Sequence, residues 1–261
     1  MIKVGLTQMD IVWEDKEQNQ KTAERLMKQA VEQGVDLLVF PEMTLTGFTM
    51  NTECASEDMA HSASLAFFRK KSLELHLAVI FGLVIKEEEK YYNRLVCVSE
   101  GEVCYTYDKI HPFSYGEESQ HYIGGDKVSV GRMKEMNLSG FVCYDLRFPE
   151  IFQAVADRVE VIFVIANWPK ERLLHWETLL PARAVENQCY VVGVNRTGSG
   201  NGEEYVPSSV AFSPLGERLT KAGDTAELLI VELDVNQVKR VREQFPFRQD
   251  RREELYREIR L

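Results

Sequence analysis

Hydrophobic and polar positions alternate over residues 2–8 as in a strand. They then fall at the spacing of one helix face: between Glu17 and Gly34 the apolar positions are Ala23, Leu26, Met27, Ala30 and Val31. Gly34 is the expected stop of that helix. The apolar run from Val35 to Phe40, interrupted only at Asp36, predicts a buried strand that Pro41 ends. A helix is predicted over 57–76, with Leu65, Phe68, Leu73 and Leu75 among its buried candidates. Three strands follow over 77–85, 91–98 and 102–107, separated by Glu87-Glu88-Glu89 and Gly101. Phe141 and Val142 read as a strand end, and Pro149 suits the first position of a helix through Ile151, Phe152, Ala154 and Val155. The later half predicts a strand over 159–166, a helix over 171–187, strands over 190–195, 208–212 and 226–233, and a helix over 235–244. A strand meander set between β-α alternations fits two sheets packed face to face with helices outside.

Composition narrows the class. At 261 residues, 44% hydrophobic and 28% charged, the chain suits one large α/β domain over 1–261. The tail 247–261 is highly charged but carries Leu255, Tyr256, Ile259 and Leu261 at helical spacing. A frayed solvated end and a segment packed on another subunit both fit it. A net charge of −10 without a long basic run argues against nucleic acid or an anionic membrane as partner. No apolar stretch approaches the ~20 residues of a span and the start lacks a cleavage signal, so a cytoplasmic protein is expected. Five cysteines form no C-x-x-C pair, which predicts free thiols and neither a disulfide framework nor a zinc site.

Three segments carry candidate chemistry. Cys143 sits where a strand hands over to a helix, a place where backbone N–H groups and the helix dipole favour a thiolate. An inert buried cysteine fits the same context. Glu42 follows Phe40-Pro41 at a strand's carboxyl end, placed like a general base or like any solvated loop glutamate. Lys109 ends the alternating stretch Tyr105-Thr106-Tyr107-Asp108, and by itself reads equally as a surface lysine.

Together, Phe40-Pro41-Glu42, Asp108-Lys109-Ile110-His111-Pro112-Phe113 and Cys143-Tyr144-Asp145-Leu146-Arg147-Phe148-Pro149-Glu150, in that order, resemble the nitrilase superfamily of carbon–nitrogen hydrolases. The likeness extends from Gln8 to Trp168-Pro169 and Pro181–Gln188, and the cysteine segment is most similar to the omega-amidase branch. It implies a four-layer α-β-β-α sandwich, a homodimer in which the tail packs on the partner, and catalysis without a cofactor or metal. It assigns Glu42 as proton carrier, Lys109 and the N–H of Tyr144 as oxyanion hole and Cys143 as nucleophile. The loop Thr44–Phe48 is expected at the site mouth, with Asn195-Arg196-Thr197-Gly198 on the substrate side. A second glutamate after the lysine matches Glu118 in Glu118-Ser119 better than Glu117, although adjacent acids leave the register open.

Arg147, four residues past the nucleophile, suits a bidentate grip on a substrate carboxylate or an ion pair with Asp145 or Glu186. Trp168 and Phe48 suit apolar pocket walls or core. His111 reads as a structural histidine, and Gly198–Gly202, lacking a following Lys-Ser/Thr, as a turn or flexible loop. By resemblance the expected reaction is hydrolysis of the terminal amide of a small 2-oxo acid, such as 2-oxoglutaramate, through a cysteine thioester. Rival readings are an aliphatic amidase or N-carbamoyl amino acid hydrolase of the same fold, and a catalytically silent scaffold.

Overall fold

In the computed structural model, which describes residues 1–259, the chain opens with β1 (Ile2–Thr7), whose Ile2, Val4 and Leu6 face inward. Helix α1 (Lys16–Glu32) is capped by the Asp15 side chain, and the chain then turns through Gly34 at φ +71°. Strand β2 (Leu37–Val39) follows, completely buried. The helix predicted over 57–76 starts late, at Ala63. A short helix α2 (Thr52–Ala55) and strand β3 (Glu57–Asp58) precede α3 (Ala63–Leu75), because Ser62 caps α3 by accepting from Leu65 N and Glu57 takes bonds from Ser62 and Ser64. Leu73 is 55% exposed, a second departure: Leu65, Phe68 and Ser72 occupy the inner face of α3.

The meander is present as β4 (Ala78–Glu87), β5 (Lys90–Ser99) and β6 (Glu102–Asp108). Helix α4 (Glu118–His121) and strand β7 (Gly131–Met133) lead to β8 (Met136–Val142). Then come α5 (Pro149–Val155), β9 (Val161–Ala166), α6 (Leu173–Asn187) and β10 (Tyr190–Asn195). Gly198–Gly202, expected as a turn or flexible loop, belongs to a hairpin of β11 (Gly198–Gly200) and β12 (Glu203–Tyr205), ahead of β13 (Val210–Phe212) and β14 (Leu228–Leu233). Helix α7 (Val235–Gln244) ends where expected, and α8 (Glu253–Glu258) orders the tail. The tail rests on its own chain through Arg251 to Gln153 and Arg248 to Asp157, while Ile259 is exposed and Leu261 lies outside the described residues.

One sheet runs β14-β1-β2-β4-β5-β6, with β3 beside β4; the other runs β13-β10-β9-β8-β7. Parallel strands, β1 with β2 and β4 in the first and β8, β9 and β10 in the second, form their centres. Each is buried on both faces, which is why 37–40 and 161–166 are continuous apolar runs, with Asp36 and Glu160 just ahead of them. Leu37, Val39, Ile80 and Leu95 of the first sheet pack against Leu138, Phe141 and Val161 of the second. Helices α1 and α3 cover the outer face of the first sheet through Ala23, Leu26, Met27 and Phe68; α5 and α6 cover the second through Phe152, Trp176 and Leu180. The result is the expected four-layer α-β-β-α sandwich.

Candidate active site

The carboxyl ends of β2, β6, β8 and β9 meet at one place, and each delivers a polar residue there. Glu42 comes after β2, Lys109 after β6, Cys143 after β8 and Asn167 after β9. Cys143 adopts φ +48°, a left-handed conformation that costs a non-glycine residue of order 1 kcal/mol. Asp145, buried, holds the turn: it accepts from Val142 N at 3.1 Å, Tyr107 Oη at 2.9 Å, and His111 N and Nδ1 at 3.0 and 2.8 Å. His111 also stacks on Phe148 at 3.7 Å, a structural placement.

Behind the cysteine, Glu42, Lys109 and Glu118 form an ionic cluster with at most 1% side-chain exposure. Lys109 Nζ donates to Glu42 Oε1 at 3.1 Å and to Glu118 Oε1 and Oε2 at 3.0 and 2.7 Å. Glu117 instead is exposed, at φ +65°, ahead of α4, so it is Glu118 that reaches the lysine. Burial alone would lower the Lys109 pKa, yet Glu118 and Glu42 more than reverse this and hold the ammonium above its ordinary range. Burial raises the Glu118 carboxyl, and the negative charge of Glu42 adds to the rise against the pull of Lys109.

Cys143 corrects one expectation. Burial, and next the charge of Glu42, hold its thiol well above the ordinary range, against the opposing pull of Lys109. No dipole offsets this, because α5 begins only at Pro149 and the intervening turn is a single short 3₁₀ segment, Cys143–Arg147. Attack therefore needs a base beside the thiol, and Glu42 stands there.

Cys143 opens onto a cavity of about 210 Å³. At about 30 Å³ per water this holds roughly seven waters or one small organic acid. Phe48, Phe113, Tyr144, Arg147 and Trp168 are among its walls. Lys109 Nζ lies 5.3 Å from the Phe48 ring centre. Arg147 stacks over Trp168 at 4.9 Å and meets His175 Nδ1 at 3.2 Å. The alternative ion pairs for Arg147 are absent among the described residues: Asp145 serves the turn and Glu186 pairs with Arg183 at 3.0 Å.

Sequence reasoning missed Asn93, Asn167, Glu203 and Tyr205, whereas Asn195 and Arg196 were expected on the substrate side. Asn93 on β5 donates to both carboxylates, and Asn167 holds Glu42 from the other side. Asn195 fixes Trp168 by accepting from its N at 2.7 Å and donating to its O at 2.9 Å. Tyr205 and Glu203 bring the β11–β12 hairpin to the mouth, with buried Arg196 4.5 Å from the Tyr205 ring and bonded to Ser199 O. The signal available for Asn167 was its place between an apolar run and Trp168-Pro169.

Comparison with known proteins agrees with this geometry. The omega-amidase YafV of Escherichia coli K12 is 34% identical over 251 residues, covering 95% of this chain and 96% of the relative. The 2-oxoglutaramate amidase of Bacillus subtilis 168 is 32% identical, covering 97% and 98%. Among solved structures, a CN-hydrolase superfamily protein of Xanthomonas campestris superimposes with TM-score 0.89 at 29% identity over 96% and 97% of the two chains. An amidase of Nesterenkonia sp. AN1, seen with acrylamide added to its active-site cysteine, does so with TM-score 0.85 at 26% identity over 99% of both. The carbon-nitrogen hydrolase family model matches residues 3–243, and the chain belongs to that family as an amide-hydrolysing enzyme.

Proposed function

We propose that this enzyme hydrolyses the terminal amide of a small 2-oxo acid, of the 2-oxoglutaramate or 2-oxosuccinamate type, to the carboxylic acid and ammonia. The observation that carries the reading is the Cys143 thiol at a small cavity, with a carboxylate and an ammonium buried behind it and Arg147 on the wall without a carboxylate partner among the described residues. The two relatives at 34% and 32% identity are named for this chemistry and lend it further support.

Glu42 takes the Cys143 proton as Sγ attacks the amide carbon. Negative charge then builds on the former carbonyl oxygen, where Lys109 and the Tyr144 N–H stabilise it, an effect worth several kcal/mol of barrier. Glu42 passes its proton to the amide nitrogen, the C–N bond breaks and ammonia departs, leaving a thioester. A water gives its proton to Glu42 and attacks the thioester; collapse expels the sulfur, which regains the proton, and the carboxylic acid is released. Glu118 holds Lys109 in place throughout. Arg147 pairs with the substrate's distal carboxylate, and Phe48 and Trp168 bound its carbon chain. By the family resemblance the enzyme works as a cytoplasmic homodimer whose tail packs on the partner.

Phe48, Met50 and Phe113 in the cavity wall favour a second reading, a neutral aliphatic amide. Ammonia release separates the two. Purified protein is given 2-oxoglutaramate, glutamine, propionamide and an N-carbamoyl amino acid beside the Cys143→Ala variant. Cys143-dependent release from the 2-oxo acid amide alone is expected. Release only from the others discards the substrate, and silence on all of them favours a scaffold.

A further inference from the structure

Glu42 is gripped by two asparagines that only donate to it. Asn93, 2% exposed, gives Nδ2 to Glu42 Oε1 at 2.7 Å and to Glu118 Oε1 at 3.0 Å. Asn167, 4% exposed, gives its backbone N–H to Glu42 Oε2 at 2.8 Å, and its Nδ2 to Glu42 O at 2.7 Å and Oε2 at 3.4 Å. The Oδ1 atoms of both are buried without a hydrogen-bond partner among the described residues. A bare buried amide oxygen is unfavourable, so an arrangement that leaves two of them beside one carboxylate is held by what the donors do. Turning either amide over would set its oxygen against an acceptor, which fixes both orientations.

Asn93 has the further distinction of bridging two like charges. The titratable groups facing these two carboxylates are Lys109 from the end of β6, Cys143 beyond β8, Tyr122 after α4 and Tyr205 on β12. The one ammonium in this set is already divided between both carboxylates. A neutral donor reaching both adds stabilisation to the ionised pair without adding charge, and it cannot accept a proton in exchange.

We infer that Asn93 is a positioning residue for the reaction: by donating to Glu42 and Glu118 together it keeps Glu42 in its proton-accepting form and aimed at Cys143. The inference rests on the reading of Glu42 as the base for Cys143. Without the donor, a proton settles on the carboxylate pair more readily, and a protonated Glu42 cannot take the thiol proton. Asn93 bonds Glu42 and Glu118 from behind and is not among the residues lining the cavity, so its loss acts on turnover and not on affinity.

The test compares Asn93→Asp and Asn93→Ala with wild type in three measurements. These are the pH profile of kcat/KM on the best amide substrate, the pH profile of Cys143 alkylation by iodoacetamide followed by peptide mass mapping, and thermal unfolding. In both variants kcat is expected to fall about 30-fold or more with KM within about threefold. The acid limb of kcat/KM moves up by about one pH unit, and Cys143 alkylation at neutral pH slows about tenfold. Alkylation needs no substrate, so a wrong substrate assignment leaves this arm intact. Folded variants whose two pH profiles overlay wild type overturn the inference, even if they melt earlier; should Asn93→Asp not fold, Asn93→Ala decides. Glu42→Gln is run alongside. If it keeps wild-type turnover, the underlying reading fails; if it is inactive while the Asn93 variants keep wild-type profiles, only the role of Asn93 fails.

Discussion

Lys109 serves two ends at once, and its substitution separates them. In the proposed mechanism it carries the charge that meets the oxyanion, and it alone among the described residues neutralises Glu42 and Glu118 through ion pairs. Lys109→Ala is expected to lower kcat by about 10²–10³ with a smaller change in KM, as removal of a transition-state contact does. It should also lower stability by about 3–5 kcal/mol, because two buried carboxylates lose their partner. The folded-state pKa of Lys109 lies above its unfolded value, so this contribution is complete below the unfolded pKa and is lost only as pH rises through the folded one. Urea unfolding at neutral pH should therefore show the full difference between variant and wild type, and strongly alkaline conditions should narrow it. Glu42, Lys109 and Cys143 were legible because each stands just past an apolar or alternating strand, in a segment with its own signature. Asn93 was not. An asparagine within an alternating strand looks like any solvent-facing polar position, and only the approach of Glu118 from a separate loop makes it a buried donor.

At the scale of elements, Gly82 on β4 shows how tightly Glu42 is seated. A Cβ built there would lie 2.4 Å from Met43 N and 2.9 Å from Glu42 Cα, both backbone atoms that cannot swing aside. Gly82 N and O also bond Thr44 Oγ1 and Thr44 N at 3.1 and 3.0 Å, so the strand and the Glu42 turn move together. Gly82→Ala should cost about 1–3 kcal/mol by overpacking. It should cut kcat about 10²-fold, since small misplacements of a reacting group have large effects; turnover near wild type in a folded variant would show that the turn relaxes. Glu57 does comparable work far from the site. Burial would raise its carboxyl, but Lys16, Ser62 and Ser64 outweigh that and pull it down to about 2, tying α1 to the start of α3. A depressed folded pKa stabilises above the unfolded value of 4.5 and is lost as pH falls towards 2. Allowing for partial exposure, Glu57→Gln should cost about 1–2 kcal/mol at pH 7 and progressively less between pH 4 and 2 by denaturant titration. This carboxylate is also why the predicted helix over 57–76 starts late. Apolar spacing cannot reveal that an acidic residue within the pattern is committed to serine and lysine partners outside it. The β11–β12 hairpin escaped notice for a related reason: its strands, Gly198-Ser199-Gly200 and Glu203-Glu204-Tyr205, show no apolar alternation and are held by Arg196.

Over the whole molecule, the two-sheet architecture was legible in the strand meander set between β-α alternations, but the order of strands within each sheet, and which sheet supplies which site residue, were not. Glu42 and Lys109 hang from the first sheet and Cys143 and Asn167 from the second, so the candidate site is assembled only when the two faces close. Periodicity reports that a strand is buried and not what lies opposite, so this division comes from the packing. It has a measurable consequence at Phe141, one residue from the end of β8, whose ring meets Tyr107 of the first sheet at 5.3 Å and Phe152 of α5 at 4.4 Å. Phe141→Ala removes that bridge between layers and should cost about 3–5 kcal/mol through lost burial and the cavity left behind. Because inter-sheet contacts form one continuous core, the loss should appear as a single unfolding transition displaced to lower urea, with far-UV circular dichroism and Cys143 alkylation moving together. If alkylation ran ahead of the loss of secondary structure, the sheets would be parting before either melts, and the site would be held by a weaker contact than the core that surrounds it.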